Sequence, residues 1–306
     1  LVIQNLDEFH SPIPNPVLTI GNFDGVHRGH LSLFEKVKDR AAALKGTSCV
    51  MTFDPHPLSV MKPEHAPPLI TPTRIKLELI EQAGMDVIFC IPFTAEFADI
   101  TARRFTEEIL VGKIGIREIV AGYDYSFGRG REGDVDFLRK EGERLGFLVH
   151  QVGPVFEKGI PVSSTAIRST VKQGLISEAN GLLGRPYMIS GTVVKGENRG
   201  GRLLGFPTAN LATEAELIPG PGVYAVRIDE SGKLYNGVTN IGFNPTFGNT
   251  DTSIETHILD FSGDLLGASI RLMFISRLRD ECQFPSIDAL SQRIAEDVKS
   301  AREILG

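Results

Sequence analysis

The chain has 306 residues, 42% of them hydrophobic and 23% charged, the balance of an ordinary globular protein long enough to build two cores. A formal charge of −6 argues against a surface that tracks a phosphate backbone, so nucleic acid is not an expected partner and any phosphate site is expected to be local. The longest apolar run, VIFCIPF at 87–93, falls far short of the ~20 residues that span a bilayer, and no basic-then-apolar leader opens the sequence, so the expectation is a cytoplasmic protein without a membrane partner.

Taken in chain order, the first half alternates two periods. VLTI, SCVMTF, DVIFCIPF, EIVAGY and FLVHQV are strand-like runs rich in Val, Ile and Phe between residues 17 and about 152. Between them, Leu31, Phe34, Val37, Ala41 and Leu44 recur at helical spacing, as do Ile75, Leu79, Ile80 and Ala83. This rhythm predicts an α/β domain: a mostly parallel sheet with helices on both faces and ligands beyond the C-terminal strand ends. The first strand runs directly into TIGNFDGVHRGHLSLFEKV, where His27 and His30 flank Gly29 at the opening of a helix. Unpaired N–H groups there favour an anion, and a glycine lets a phosphate approach. Two imidazoles beside a phosphoryl group can donate to its oxygens as charge develops, which fits nucleotidyl transfer.

Other phosphate motifs compete poorly. No G-x-x-x-x-G-K-[ST] is present, and the G-x-G-x-x-G at Gly128, Gly130 and Gly133 lies too far from its strand for a dinucleotide turn. Its loop, GYDYSFGRGREGD, suits a planar ring with a polar tail, or is an ordinary glycine-rich surface loop. PVSSTAIRSTV places Ser163, Ser164 and Thr165 at a helix start with Arg168 one turn in, a hydroxyl-rich cap plus a planar cation suited to outer phosphates. Cys49, Cys90 and Cys282 are scattered with no C-x-x-C, so disulfides and structural zinc are not expected.

Near residue 185 the period changes. YMISGTVV, GVYAVRI, YNGVTNI, SIETHILDF and SIRLMFIS follow one another without helices, predicting a small antiparallel barrel closed by one amphipathic helix capped by Ser286. The domains are therefore read as 1–185 and 186–306. Alternation along SIETHILDF puts Glu255 on the face of Leu259 and Phe261, aimed at a fairly apolar interior; an exposed strand acid is the alternative. KGENRGGRLLG, with Gly196, Gly200, Gly201 and Gly205, reads as a mobile phosphate flap or as a plain hairpin loop.

GNFDGVHRGH, TFDPHP, GYDYSFGRGREGD and SSTAIR, in that order, resemble the adenylyltransferase module of bacterial bifunctional riboflavin kinase/FAD synthetases. GTVVKGENRGGRLLGFPTANL, GVYAV, NIGFNPTF, IETHILDF and RLRDECQF resemble its riboflavin kinase module, so the resemblance covers essentially the whole chain. It implies a Rossmann-like nucleotidyltransferase domain followed by a kinase barrel, making FMN from riboflavin and then FAD from FMN, with ATP as co-substrate and Mg²⁺ as cofactor. By the same resemblance His27 and His30 act on the transferring phosphate, with Gly21, Phe23, Asp24 and Gly29 shaping the ATP pocket. Ser164, Thr165 and Arg168 hold the outer phosphates, and Asp124 and Phe127 face the flavin. In the barrel, Thr208 and Asn210 are the Mg²⁺ ligands, Asn240 and the flap glycines Gly196, Gly200 and Gly201 contact substrate or nucleotide, and Glu255 is the general base. The expected partners are riboflavin, FMN and ATP, and the expected state is a monomer or weak homo-oligomer. Two other readings are a nucleotidyltransferase whose barrel only binds flavin, and a flavin carrier without turnover.

Overall fold

The computed structural model describes residues 1–6, 12–196, 206–246 and 249–306, with 243–246 and 249–251 described by backbone alone. It divides into two compact units, Leu1–Ser164 and Thr165–Gly306.

In the first unit, β1 (Val2–Ile3), β2 (Pro16–Ile20), β3 (Thr47–Asp54), β4 (Val87–Pro92), β5 (Glu118–Gly122) and β6 (Leu148–Val152) form one sheet in the order β1-β4-β3-β2-β5-β6. Every pairing in it is parallel. All five residues of β2 are buried, as a strand covered on both faces must be. Leu18 and Ile20 enter one core with Met51, Phe89, Leu110 and Leu138, while Val17 enters the other with Phe34, Val50, Ile80 and Val120. The second core is covered by α1 (Arg28–Leu44) and α2 (Thr73–Gln82), the first in part by α3 (Val135–Leu145). Strand order reverses at β2, whose neighbours are β3 on one side and β5 on the other, so a crevice opens where β2 and β5 end. The elements expected by period are present. One that period did not suggest is a π-helix over Phe105–Ile114. Its buried residues Phe105, Ile109, Leu110 and Ile114 step by four and five, which a 3.6-residue template does not detect.

The second unit continues α4 (Ser164–Lys172), whose first residue closes the first unit, through α5 (Ile176–Leu183) into a closed antiparallel barrel. Its strands are β7 (Tyr187–Val194), β8 (Ala209–Thr213), β9 (Gly222–Glu230), β10 (Lys233–Thr246), β11 (Asn249–Ile258) and β12 (Ser269–Arg279), in the order β7-β8-β11-β10-β9-β12. Alternate residues fill it: Val226 pairs with Phe274, Ile228 with Leu272, and Ile241 with Ile254, all buried. The other face of β9 and β10 supplies Val223, Ala225 and Val238, which pack under Ala301 and Leu305 of α6 (Ile287–Leu305). Ser286 caps this helix, accepting from the Ala289 N–H at 3.2 Å.

Candidate functional site

The loop leaving β2 is bent by left-handed residues. Phe23, Gly25 and Val26 have φ of 48°, 85° and 40°, and both side-chain-bearing members are 2% exposed. A bulky aromatic and a β-branched residue held there are costly, roughly 1–3 kcal/mol each, and persist only where the surroundings enforce them. Here the enforcement is visible. The Asp24 carboxylate accepts from the backbone N–H of Ile70 and of Thr71 at 3.0 and 3.1 Å, and the Gly25 N–H donates to Thr71 Oγ1 at 3.2 Å. Thr52 Oγ1 donates to the Asn22 carbonyl at 3.1 Å. The bent loop delivers His27 to the N-cap of α1.

At that cap the two histidines complete a reciprocal box. His27 Nδ1 accepts from the His30 N–H at 3.3 Å, and His30 Nδ1 accepts from the His27 N–H at 3.4 Å. Their rings stack with centroids 3.5 Å apart and planes 19° from parallel. A nitrogen that accepts carries no proton, so each neutral imidazole keeps its hydrogen on Nε2. Gly29 leaves the stacked pair uncrowded, since a Cβ there would lie 3.2 Å from the His27 ring. Phe23 meets His30 edge-on at 5.1 Å, and an added Cβ at Gly21 would press on the Phe23 ring at 3.0 Å. The structure thus joins Gly21, Phe23, Asp24, His27, Gly29 and His30 in one corner beside the crevice. Asp24 is 3% exposed, and its carboxylate clamps backbone.

Ser164 belongs to this corner, donating from Oγ to the Asp24 carbonyl at 3.1 Å. Thr165 and Arg168 continue the same helix within the second unit. Phe127 stacks on Tyr125 at 5.5 Å and touches Phe105 and Phe137, while Asp124 is exposed at the end of β5. Burial pushes the Cys49 thiol up to about 12 and raises that of Cys90, so neither is a ready nucleophile at neutral pH.

The barrel brings its polar residues into one line. Val194 faces Asn210, Asn210 faces Glu255, Glu255 faces Asn240 and Asn240 faces Val223, a row crossing five strands. Residues directly opposite in antiparallel pairs share a face. That face is not the barrel interior. Among the residues of β11 whose side chains are described, Ile254, Thr256 and Ile258 are the buried ones, with Thr256 Oγ1 2.9 Å from Thr239 Oγ1 inside, so Glu255 projects from the opposite side and is half-buried. The inward expectation fails because alternation was carried through Leu259 to Phe261, whereas the strand ends at Ile258 and Asp260 turns the chain at φ 56°.

Gly196 lies against the Asn210 amide, which an added Cβ would displace. Gly200, Gly201 and Gly205 lie outside the described residues. Thr208 is exposed immediately before β8, in a segment tethered by His257: its Nδ1 pairs with the Pro207 carbonyl oxygen at 2.9 Å, and its ring meets Phe206 edge-on at 5.4 Å. His257 was legible, being two residues past Glu255 on the same strand face. Glu281 was not. It reaches from the segment after β12 over Gly242, where a Cβ would collide with its carboxylate and lie 3.4 Å from Asn240 Nδ2. The described residues contain no cluster of three or more His, Cys, Asp or Glu able to hold a metal ion. Thr208 and, in the row, Asn210 offer neutral oxygens, suited to a hard ion that keeps other oxygen ligands.

Residues 11–166 match the family model described as FAD synthetase, and residues 183–305 the one described as riboflavin kinase. Over 305 residues the chain is 39% identical to the bifunctional riboflavin kinase/FMN adenylyltransferase of Escherichia coli strain K12, covering 99% of this chain and 96% of that one. A protein of the same name from Bacillus subtilis strain 168 is 36% identical over 291 residues, covering 93% and 91%. A crystal structure described as a macrolide-efflux protein from Streptococcus pneumoniae matches with a TM-score of 0.90 at 30% identity, over 99% of this chain and 98% of that one. Among the described residues no helix is long and apolar enough to cross a membrane.

Proposed function

Because the chain belongs to the family of bifunctional riboflavin kinase/FMN adenylyltransferases, we propose that its two reactions are run by the two constellations just described. The enzyme phosphorylates riboflavin to FMN with ATP, and adenylylates FMN to FAD with release of pyrophosphate. We assign adenylylation to residues 1–185 and phosphorylation to residues 186–306. A barrel that only binds flavin is not the reading of a segment matched as riboflavin kinase.

For adenylylation, a phosphate oxygen of FMN attacks the α-phosphorus of ATP as the bond to the β-phosphate oxygen breaks. The substrate brings its own nucleophile, so the protein needs donors rather than a reactive side chain. With both Nδ1 atoms held by backbone N–H groups, His27 and His30 present Nε2–H donors to the α-phosphate oxygens, where negative charge grows. Gly21, Phe23, Asp24, Gly29 and Ser164 shape the nucleotide pocket, with Thr165 and Arg168 on the departing pyrophosphate and Asp124 and Phe127 on the flavin.

For phosphorylation, Glu255 accepts the proton of the ribityl 5′-hydroxyl as that oxygen attacks the γ-phosphorus and ADP leaves. Asn210 and Asn240 flank it in the row, Asn240 towards the flavin and Asn210 with Thr208 towards a bound Mg²⁺. Mg²⁺, when bound, neutralises phosphate charge. Gly196, Gly200 and Gly201 belong to the loop over the phosphates. We place the enzyme in the cytoplasm, where its ATP is supplied.

The observation that carries this reading is the pairing of a stacked His-x-Gly-His cap with a polar Asn-Glu-Asn row in one chain. Incubation with riboflavin, ATP and Mg²⁺, followed by chromatography, should show FMN first and FAD later. FAD from supplied FMN with riboflavin left intact would remove the kinase half of the reading.

A further inference from the structure

The first unit buries an ammonium that neither reaction has used. Lys76 of α2 is 6% exposed, and its Nζ donates to the Phe53 carbonyl at 2.8 Å, near the end of β3. This is its one hydrogen bond among the described residues, although an ammonium carries three donors. Burial pulls its pKa down, while Cys90, Asp24 and Asp54 pull it up. Both carboxylates are already committed. Asp24 holds the Ile70 and Thr71 N–H groups, and Asp54 Oδ1 accepts from Thr73 Oγ1 at 2.6 Å. Three segments thus meet around one cation: the bent loop after β2, the end of β3, and residues 70–76.

Two carboxylates beside the strand ends are a liability for a site that admits a polyphosphate, because like charges there repel the substrate. Lys76 brings the opposite charge to the same strand ends, held there by the Phe53 carbonyl and drawn by both carboxylates. We propose that Lys76 is a positioning residue for adenylyl transfer, offsetting the charge of Asp24 and Asp54 and fixing the end of β3 to α2. The inference rests on the reading that this unit makes FAD.

The test uses the full chain. FAD synthesis from FMN is followed with ATP varied, for wild type, K76M, K76R, D54N and K76M/D54N, with thermal unfolding recorded for each. K76M keeps the length of the side chain and removes its charge. It should raise the KM for ATP by about tenfold or more while kcat changes less than about threefold, since the loss is of ground-state and transition-state binding alike. K76R should stay within about threefold of wild type, and D54N in the K76M background should recover about half or more of the loss on a logarithmic scale. D54N alone should lower the KM for ATP, which decides the matter even if K76M does not fold. A KM within twofold of wild type in folded K76M, a loss confined to kcat, or a raised KM in D54N would overturn the proposal. Wild-type enzyme that makes no FAD would instead remove the premise.

Discussion

The imidazole of His27 lies flat against that of His30, each ring accepting the other residue's backbone N–H through Nδ1. Neither residue can be altered without releasing its partner, because the box is reciprocal. A capping pair that usually joins a hydroxyl to a carboxylate is here built of two groups able to donate onward. Capping engages Nδ1 of each ring and leaves Nε2 for the phosphate contact proposed above.

Replacing either histidine by Ala should lower FAD synthesis by at least about 10²-fold, in the range reported for removal of one donor to a developing oxyanion. Riboflavin phosphorylation by the same preparations should be unaffected. The double mutant should lose little beyond the more damaging single one, because the two act as a unit. Measured FAD formation at wild-type rates in the double mutant would remove both residues from the mechanism.

Glu255→Gln retains the size and hydrogen bonding of the side chain and removes its capacity to accept a proton. Riboflavin turnover should fall by about 10²- to 10⁴-fold. Flavin affinity and FAD production from supplied FMN should persist. Kinase kcat within a few-fold of wild type would refute the base assignment, and loss of both activities would point to misfolding.

The helix directly ahead of the barrel, α5, packs on it through hydrogen bonds and apolar contact. Asn180 of α5 donates from Nδ2 to the Phe274 carbonyl at 2.9 Å and accepts from the Tyr187 N–H at 2.7 Å. Ile176, Ala179, Leu182 and Leu183 are buried beside it. A fragment of residues 186–306 should phosphorylate riboflavin but melt at least roughly 5 °C below residues 165–306, given ~1 kcal/mol per lost hydrogen bond and the exposed apolar surface. Equal melting temperatures would show that α5 contributes nothing.

Glu118, 1% exposed at the start of β5, takes two hydrogen bonds from Arg40 at 2.7 Å and one contact from His150 Nε2 at 2.7 Å. Arg40 first, with help from His150, holds its carboxyl below the usual carboxylate range. A carboxyl lowered by folding stabilises the protein above its unfolded pKa and loses that contribution as pH falls through its folded one. Stability of the first unit should therefore drop on acidification below the ordinary carboxylate range, and Glu118→Gln should flatten that part of the profile while costing on the order of 2 kcal/mol at pH 7. Urea titrations of both proteins across pH would check it.

The sequence made the strands of the sheet other than the two-residue β1, α1, α2, the barrel and its terminal helix legible because their buried faces repeat at two or 3.6 residues. It could not reveal the π-helix, whose apolar step matches neither period, nor β8, where PTANLAT is too short and mixed to alternate clearly. His27 and His30 were readable as a pair because the motif is local. Glu281 and the side on which Glu255 projects were not. The first depends on a segment folding back from beyond β12, and the second on where a strand ends, which a single left-handed residue at Asp260 decides.

The two units also differ in how they would fail. The barrel is closed and has no free edge, whereas the parallel sheet ends in β6, whose first residue, Leu148, is 60% exposed. An edge strand of five residues with an outward leucine is a template for recruitment by another copy once the covering helices loosen. Aggregation on storage should thus begin at the N-terminal unit, and a lysine in place of Leu148 is the change that would blunt that edge without touching either reaction.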